Sequence, residues 1–216
     1  MTHLQSIGIN ATLLESGSPE AIGPMWNFGP INSGTVVGCI RIEDHNLDLI
    51  QVERMLRSEG HQDEIPDYHY LFAYHYVVKT NVETHEKTLK ANVKPITKGL
   101  FRRKVIDFRW EGGDLARTLN ADTDLRNMLL RDGLDQLPRI EIQLDRTNHC
   151  IRITQQFQIS TGQSSRFSIG IGGFSVGTGG RPHDLDVATV ETTYPSRETV
   201  ELYNHIAHHI RSIINR

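Results

Sequence analysis

Histidine is the residue whose abundance first suggests chemistry in this chain. There are 11 in 216 residues, and His205, His208 and His209 crowd one short stretch. Residues four apart on a helix share a side, so Glu201, His205 and His209 form one stripe, a donor set that can hold a divalent metal. The stripe is offset from the apolar positions Tyr203, Ile206 and Ile210, which points it towards solvent. A plainer reading is a hydrated helix face whose imidazoles sit well near a C-terminus, where the helix dipole favours cations. No His-Glu-x-x-His signature accompanies the stripe.

Three further groups carry chemical content. His183, Asp184 and Asp186 can supply a general base and oxygen ligands for a hard cation, although Asp in such runs also serves to close turns. The run from Gly170 to Gly180 can expose backbone N–H groups to a phosphate, with Gly172, Gly173, Gly179, Gly180 and Arg181 as the contacts. Neither a Walker lysine nor GxGxxG spacing is present, so close packing of a neighbouring element explains these glycines more simply. Lys87, Lys90, Lys94, Lys98, Arg102, Arg103 and Lys104 place seven of the 23 basic residues within 18 positions. An anionic partner could dock there in a salt-dependent way, and solvated charge is the ordinary alternative. His69 and His75 share one face of a strand but stand ~20 Å apart at ~3.3 Å per residue, too far to share an ion. Both read as ordinary sheet histidines.

Composition limits the partners. The formal charge is −3 and the pI near 6.4, so no global basic field attracts nucleic acid, which is not an expected partner. Cys39 and Cys150 lie in apolar runs outside any CxxC pattern and read as buried thiols. With no run of ~18 apolar residues and no basic leader followed by an apolar stretch, a membrane partner is not expected and a cytoplasmic location is.

The elements that must position these groups follow from periodicity. Residues 1–33 are rich in Gly, Ser, Asn and Pro and read as an irregular N-terminal arm; residues 34–216 read as a single α+β domain. Residues 35–42 form a β-branched strand. Leu49, Ile50, Val52, Met55 and Leu56 suggest a helix over 46–59, closed by Gly60. Strict alternation over 67–79 predicts a long strand whose aromatic face carries Tyr68, Tyr70, Phe72, Tyr74 and Tyr76. That face is an interaction surface if exposed, and burial against a helix is the stronger expectation. A polar, Lys-rich crossing then leads to a strand at 104–110. Two short helices follow at 114–119 and 123–131, the second with Asp122 or Thr123 as N-cap. Residues 140–159 make the clearest hairpin. Phe167, Ile169 and Ile171 share a strand face, residues 187–193 suggest a last strand, and Ser196 caps a strongly amphipathic C-terminal helix.

Strands dominate the middle without strict alternation with helices. The expected fold is α+β: a mostly antiparallel sheet, several short helices, and the C-terminal helix packed on it. With no coherent catalytic constellation, the leading expectation is a non-catalytic binding or protein-interaction module, with a protein partner or homo-oligomer. The alternatives are a metal-assisted hydrolase, with a divalent metal as cofactor, using His183/Asp184/Asp186 or Glu201/His205/His209, and binding of a phosphorylated small molecule at the glycine run.

Overall fold

A computed structural model describes residues 3–6, 8–15, 18–24, 34–59, 67–80, 86–98, 104–131, 139–160, 168–169, 174–175 and 196–215. Eight strands form one antiparallel sheet: β1 (Ala11–Leu13), β2 (Thr35–Ile42), β3 (Leu49–Glu59), β4 (Asp67–Lys79), β5 (Ala91–Lys98), β6 (Lys104–Gly112), β7 (Arg139–Asp145) and β8 (Cys150–Ser160). Their order is β1-β2-β3-β4-β8-β7-β5-β6. The helices are α1 (His3–Ser6), α2 (Glu86–Leu89), α3 (Asp114–Ala121), α4 (Thr123–Arg131) and α5 (Arg197–Ile214). A separate two-stranded ladder joins β9 (Ser168–Ile169) to β10 (Phe174–Ser175). The α+β class and the antiparallel sheet with a C-terminal helix packed on it agree with the sequence reading. Within the first 33 residues, β1 pairs with β2 and adds an edge strand to the sheet.

The helix expected over 46–59 is strand β3, paired along its length with β4 from Leu49↔Val77 to Glu59↔Asp67. Its alternation was hidden because both faces of β3 are buried over Leu49–Glu53. Ile50 and Val52 enter one face, while Leu49, Gln51 and Glu53 are equally enclosed on the other. A strand sealed on both sides loses the apolar–polar rhythm, and buried Gln51 and Glu53 imitate the polar side of a helix. The Lys-rich crossing also needs correction, since it contains α2 and strand β5. Only Ala91 and Val93 of β5 are buried, and its distal half is exposed, so it offers no apolar pattern to read.

One face of the sheet carries the main core. Ile40, Ile50, Tyr76, Val78, Ile142 and Ile153 meet Leu115, Leu119, Leu125, Leu129 and the α5 residues Val200, Tyr203, Ile206 and Ile210. The Tyr76 and Tyr203 rings stack with centroids 3.7 Å apart and planes 11° apart. Tyr74 is buried on the same face, so the helix-facing alternative holds for these two tyrosines; the side chains of Tyr68, Tyr70 and Phe72 lie outside the described set. The opposite face packs Cys39, Leu49, Val77 and Cys150 under Ile22. Both thiols are buried as expected, and burial pushes that of Cys150 up to about 12, which makes it a poor nucleophile.

Two local devices fix the helices beside the sheet. At the β6–α3 turn, Gly112 has φ +146, and a Cβ there would meet the Lys90 carbonyl oxygen at 2.1 Å, so only glycine lets the chain turn this close. The Gly113 N–H donates to that same oxygen at 2.9 Å. On the outer edge of β6, the Asn120 side chain imitates a further strand: it accepts from Trp110 N–H and donates to Trp110 C=O, both at 2.8 Å. This plugs an otherwise open sheet edge and holds α3 where its last turn leads to Asp122.

Candidate metal site between three helices

Asp122 is the single residue between α3 and α4, and its extended backbone (φ −88, ψ 107) ends one helix and begins the next. Its N–H donates to Leu119 C=O. Its Oδ1 accepts from Leu125 N–H at 2.9 Å, the N-cap bond expected for α4. The other carboxylate oxygen faces α5. Oδ2 lies 2.7 Å from His205 Nε2 and 2.6 Å from His209 Nε2. One donor atom from each of the three residues lies within 4.8 Å of the others.

Helix α5 delivers both imidazoles because His205 and His209 are one turn apart, and their ring centroids stand 5.4 Å from each other. Ser196 caps the helix, its hydroxyl accepting from Thr199 N–H at 3.2 Å. Arg211 anchors the far end through Asn46 C=O and Asp48 Oδ2, both at 2.8 Å. All three donors are half-buried, with side-chain exposures of 32% for His205, 17% for His209 and 15% for Asp122, so water and ions retain access. Burial alone would raise the Asp122 pKa, but the Leu125 N–H and the two imidazoles outweigh it and hold the carboxyl well below its usual range.

Of the expected ligand set, the structure brings His205 and His209 together, on Asp122 rather than on Glu201. Glu201 is exposed and engaged by Arg197 Nε at 2.8 Å. Eight residues of helix put it roughly 12 Å along the axis from His209, too far to close one site. The carboxylate arrives instead from a residue 83 positions before His205. Its local signal, an N-cap aspartate before Thr123, was legible, but its second role depends on how α5 packs. His183, Asp184, Asp186, Gly172, Gly173, Gly179, Gly180 and Arg181, together with the strand expected at 187–193, lie outside the described residues.

A second carboxylate–imidazole centre was read from sequence as an ordinary sheet position. His75 sits in β4 between neighbours on both sides, with Gln51 and Thr154 as its register partners on β3 and β8. His75 Nε2 lies 3.0 Å from Glu53 Oε2, and Nδ1 lies 2.9 Å from Thr154 Oγ1. Burial lowers the His75 pKa against the opposing hydrogen bond to Glu53, so the ring is neutral. With Glu53 accepting, the proton belongs on Nε2 and the Thr154 hydroxyl donates to Nδ1. Hydroxyl, imidazole and carboxylate follow the order of a nucleophilic triad, but Glu53 and His75 have no exposed surface and Thr154 only 2%. Nearby, Arg152 joins Asp145 Oδ2 at 2.8 Å and Gly23 C=O at 2.6 Å. Gln51 Oε1 and Arg152 Nη1 find no hydrogen-bond partner among the described residues. This centre ties strands together and offers no entry to a substrate.

Among the described residues, no helix is long and apolar enough to cross a membrane. Comparison with protein-family models, with curated proteins and with solved structures finds no match to this chain.

Proposed function

We propose that this chain is a metal-dependent binding module in which Asp122, His205 and His209 hold one divalent transition-metal ion. The observation that carries the reading is the convergence of the two imidazoles of α5 and the carboxylate of the α3–α4 junction within 4.8 Å. Imidazole with a single carboxylate suits zinc and its neighbours better than calcium or magnesium, which prefer all-oxygen shells. Tetrahedral zinc at ~2.0–2.1 Å from each donor needs neighbouring donor atoms roughly 3.3 Å apart. Oδ2 stands 2.6 and 2.7 Å from the two nitrogens, so small side-chain rotations open the triangle. To serve as ligands through Nε2, His205 and His209 would carry their ring protons on Nδ1 and give up the two contacts to Asp122 Oδ2. An ion held by these three residues would join α5 to the α3–α4 junction, and as three protein ligands do not fill a tetrahedral shell, a donor from a protein partner would complete it.

A second reading has the same basis. Three protein ligands with one open position is also the arrangement of catalytic zinc, which lowers the pKa of a bound water and makes it a nucleophile. Metal uptake by the purified, chelator-stripped protein tests the common premise. One zinc per chain is expected, with a raised Tm, and His205→Ala/His209→Ala should abolish both. No stoichiometric uptake of zinc, nickel or cobalt, or uptake undiminished in the double variant, would overturn the site. Turnover of nitrophenyl ester or phosphate probes by the zinc-loaded protein, lost in the same variant, would select the hydrolase over the binding module.

A further inference from the structure

We infer that the distal half of the β5–β6 hairpin docks on the anionic surface of a lipid bilayer, an inference independent of the metal. Strand β5 pairs with β7 only at Ala91 and Asn92, so beyond this point no third strand flanks the hairpin on that side among the described residues. Pro95, which has no N–H to offer, sits in this unaccompanied stretch. Every β5 residue from Lys94 to Lys98 is exposed. The register sets Lys94 opposite Arg109 and Lys98 opposite Lys104. Like charges placed directly across an antiparallel pair are destabilising, and an anionic partner relieves that cost. The acidic residue between them, Asp107, is already taken by Arg126 in a two-bond pairing at 2.6 and 2.7 Å. Among the described residues, no carboxylate pairs with Lys94, Lys98 or Arg109.

Apolar groups lie among these cations. Ile96 and Ile106 are 39% and 49% exposed, two of the four large hydrophobic residues that stand out from the described surface. Isoleucine beside lysine suits the headgroup boundary, where apolar side chains enter the acyl region and cations meet anionic lipid. A nucleic-acid backbone would use the cations and leave the isoleucines without a role. The chain as a whole carries −3, so attraction must be local to this hairpin and screened within about 10 Å at moderate salt. The absence of a spanning helix concerns crossing a membrane and does not bear on adsorption to its surface.

The test is co-sedimentation of the full chain with vesicles of phosphatidylcholine alone and with roughly 30% phosphatidylserine, a surface whose potential attracts basic segments. Binding to the serine-containing vesicles only, weakened by salt, is expected. Lys94→Gln/Lys98→Gln should reduce partitioning roughly twenty-fivefold, from about fivefold per basic residue near an anionic surface. Ile96→Asn/Ile106→Asn should reduce it several-fold with the Tm unchanged. No binding to either vesicle, or binding indifferent to the lysine pair, overturns the inference. So does a short oligonucleotide that displaces the protein from vesicles and binds the isoleucine variant as well as the parent, which would assign the hairpin to nucleic acid.

Discussion

Among the described residues there are two carboxylate–imidazole centres, and they differ in what surrounds them. Glu53, His75 and Thr154 come from three adjacent strands, β3, β4 and β8, whose spacing is set by backbone ladders. Both ring nitrogens are occupied and no face is open to solvent. Asp122, His205 and His209 come from helix ends and helix faces that meet through side chains, and all three keep some exposure. The first arrangement cannot widen without breaking sheet hydrogen bonds. The second needs only side-chain torsions. Similar groups therefore make a rigid internal tie in one place and a site able to take an ion in the other.

The largest effect expected is from Glu53→Ala, which leaves His75 buried without its acceptor. A loss of about 3 kcal/mol or more in urea unfolding is expected, from the lost hydrogen bond to a charged acceptor together with the buried imidazole N–H left without a partner. A loss under about 1 kcal/mol would mean the sheet centre is not the rigid one. Next comes Tyr203→Ala, which removes the ring stacked on Tyr76. It should cost about 3 kcal/mol and also weaken zinc binding, because α5 loses its seat. Unchanged zinc affinity would show that the donor triangle does not depend on that seat.

Acidification separates the centres by their pH windows. His75 titrates below its unfolded value because burial disfavours the cation. Its contribution is fully present above about pH 6.5 and is lost as pH falls through the lower folded pKa, with a slope of at most about 1.4 kcal/mol per pH unit. Glu53, Arg152 and Asp145 are the charged groups around it, and His75→Gln should flatten the profile in that window. Asp122 is depressed as well, but from a lower reference value, so its contribution persists above about pH 4 and is lost only as pH falls further. Asp122→Asn retains N-cap capacity and should cost the metal-free protein only about 1 kcal/mol, yet remove the zinc-dependent rise in Tm. The smallest effect belongs to Glu201→Ala. It breaks an exposed helix ion pair worth less than about 0.5 kcal/mol and should leave zinc uptake intact. Loss of uptake there would restore Glu201 as a ligand.

How much was legible in the chain follows from the same physics. The strand at 67–79, the hairpin after Arg139, the paired short helices and the Ser196-capped final helix rest on local signals: period, turn chemistry and caps. Strand β3 was obscured because its buried polar residues belong to a network that only the assembled sheet creates. The spacing of His205 and His209 was readable because a helix fixes it. Asp122 as their partner was not, because no local rule relates a residue at the α3–α4 junction to one 83 or 87 positions later. Role assignment failed for His75 for the converse reason: its place on the strand was plain, but Glu53 and Thr154 are brought to it by strand register.

The most direct measurement is the long-range ¹H–¹⁵N spectrum of the histidine rings, recorded before and after one equivalent of zinc. His205 and His209 should begin protonated on Nε2 and move to Nδ1–H with Nε2 bound to the metal, while His75 keeps its proton on Nε2 throughout. Unmoved His205 and His209 resonances, or a zinc response at His75, would contradict the division between an openable helix-side site and a closed sheet-side tie.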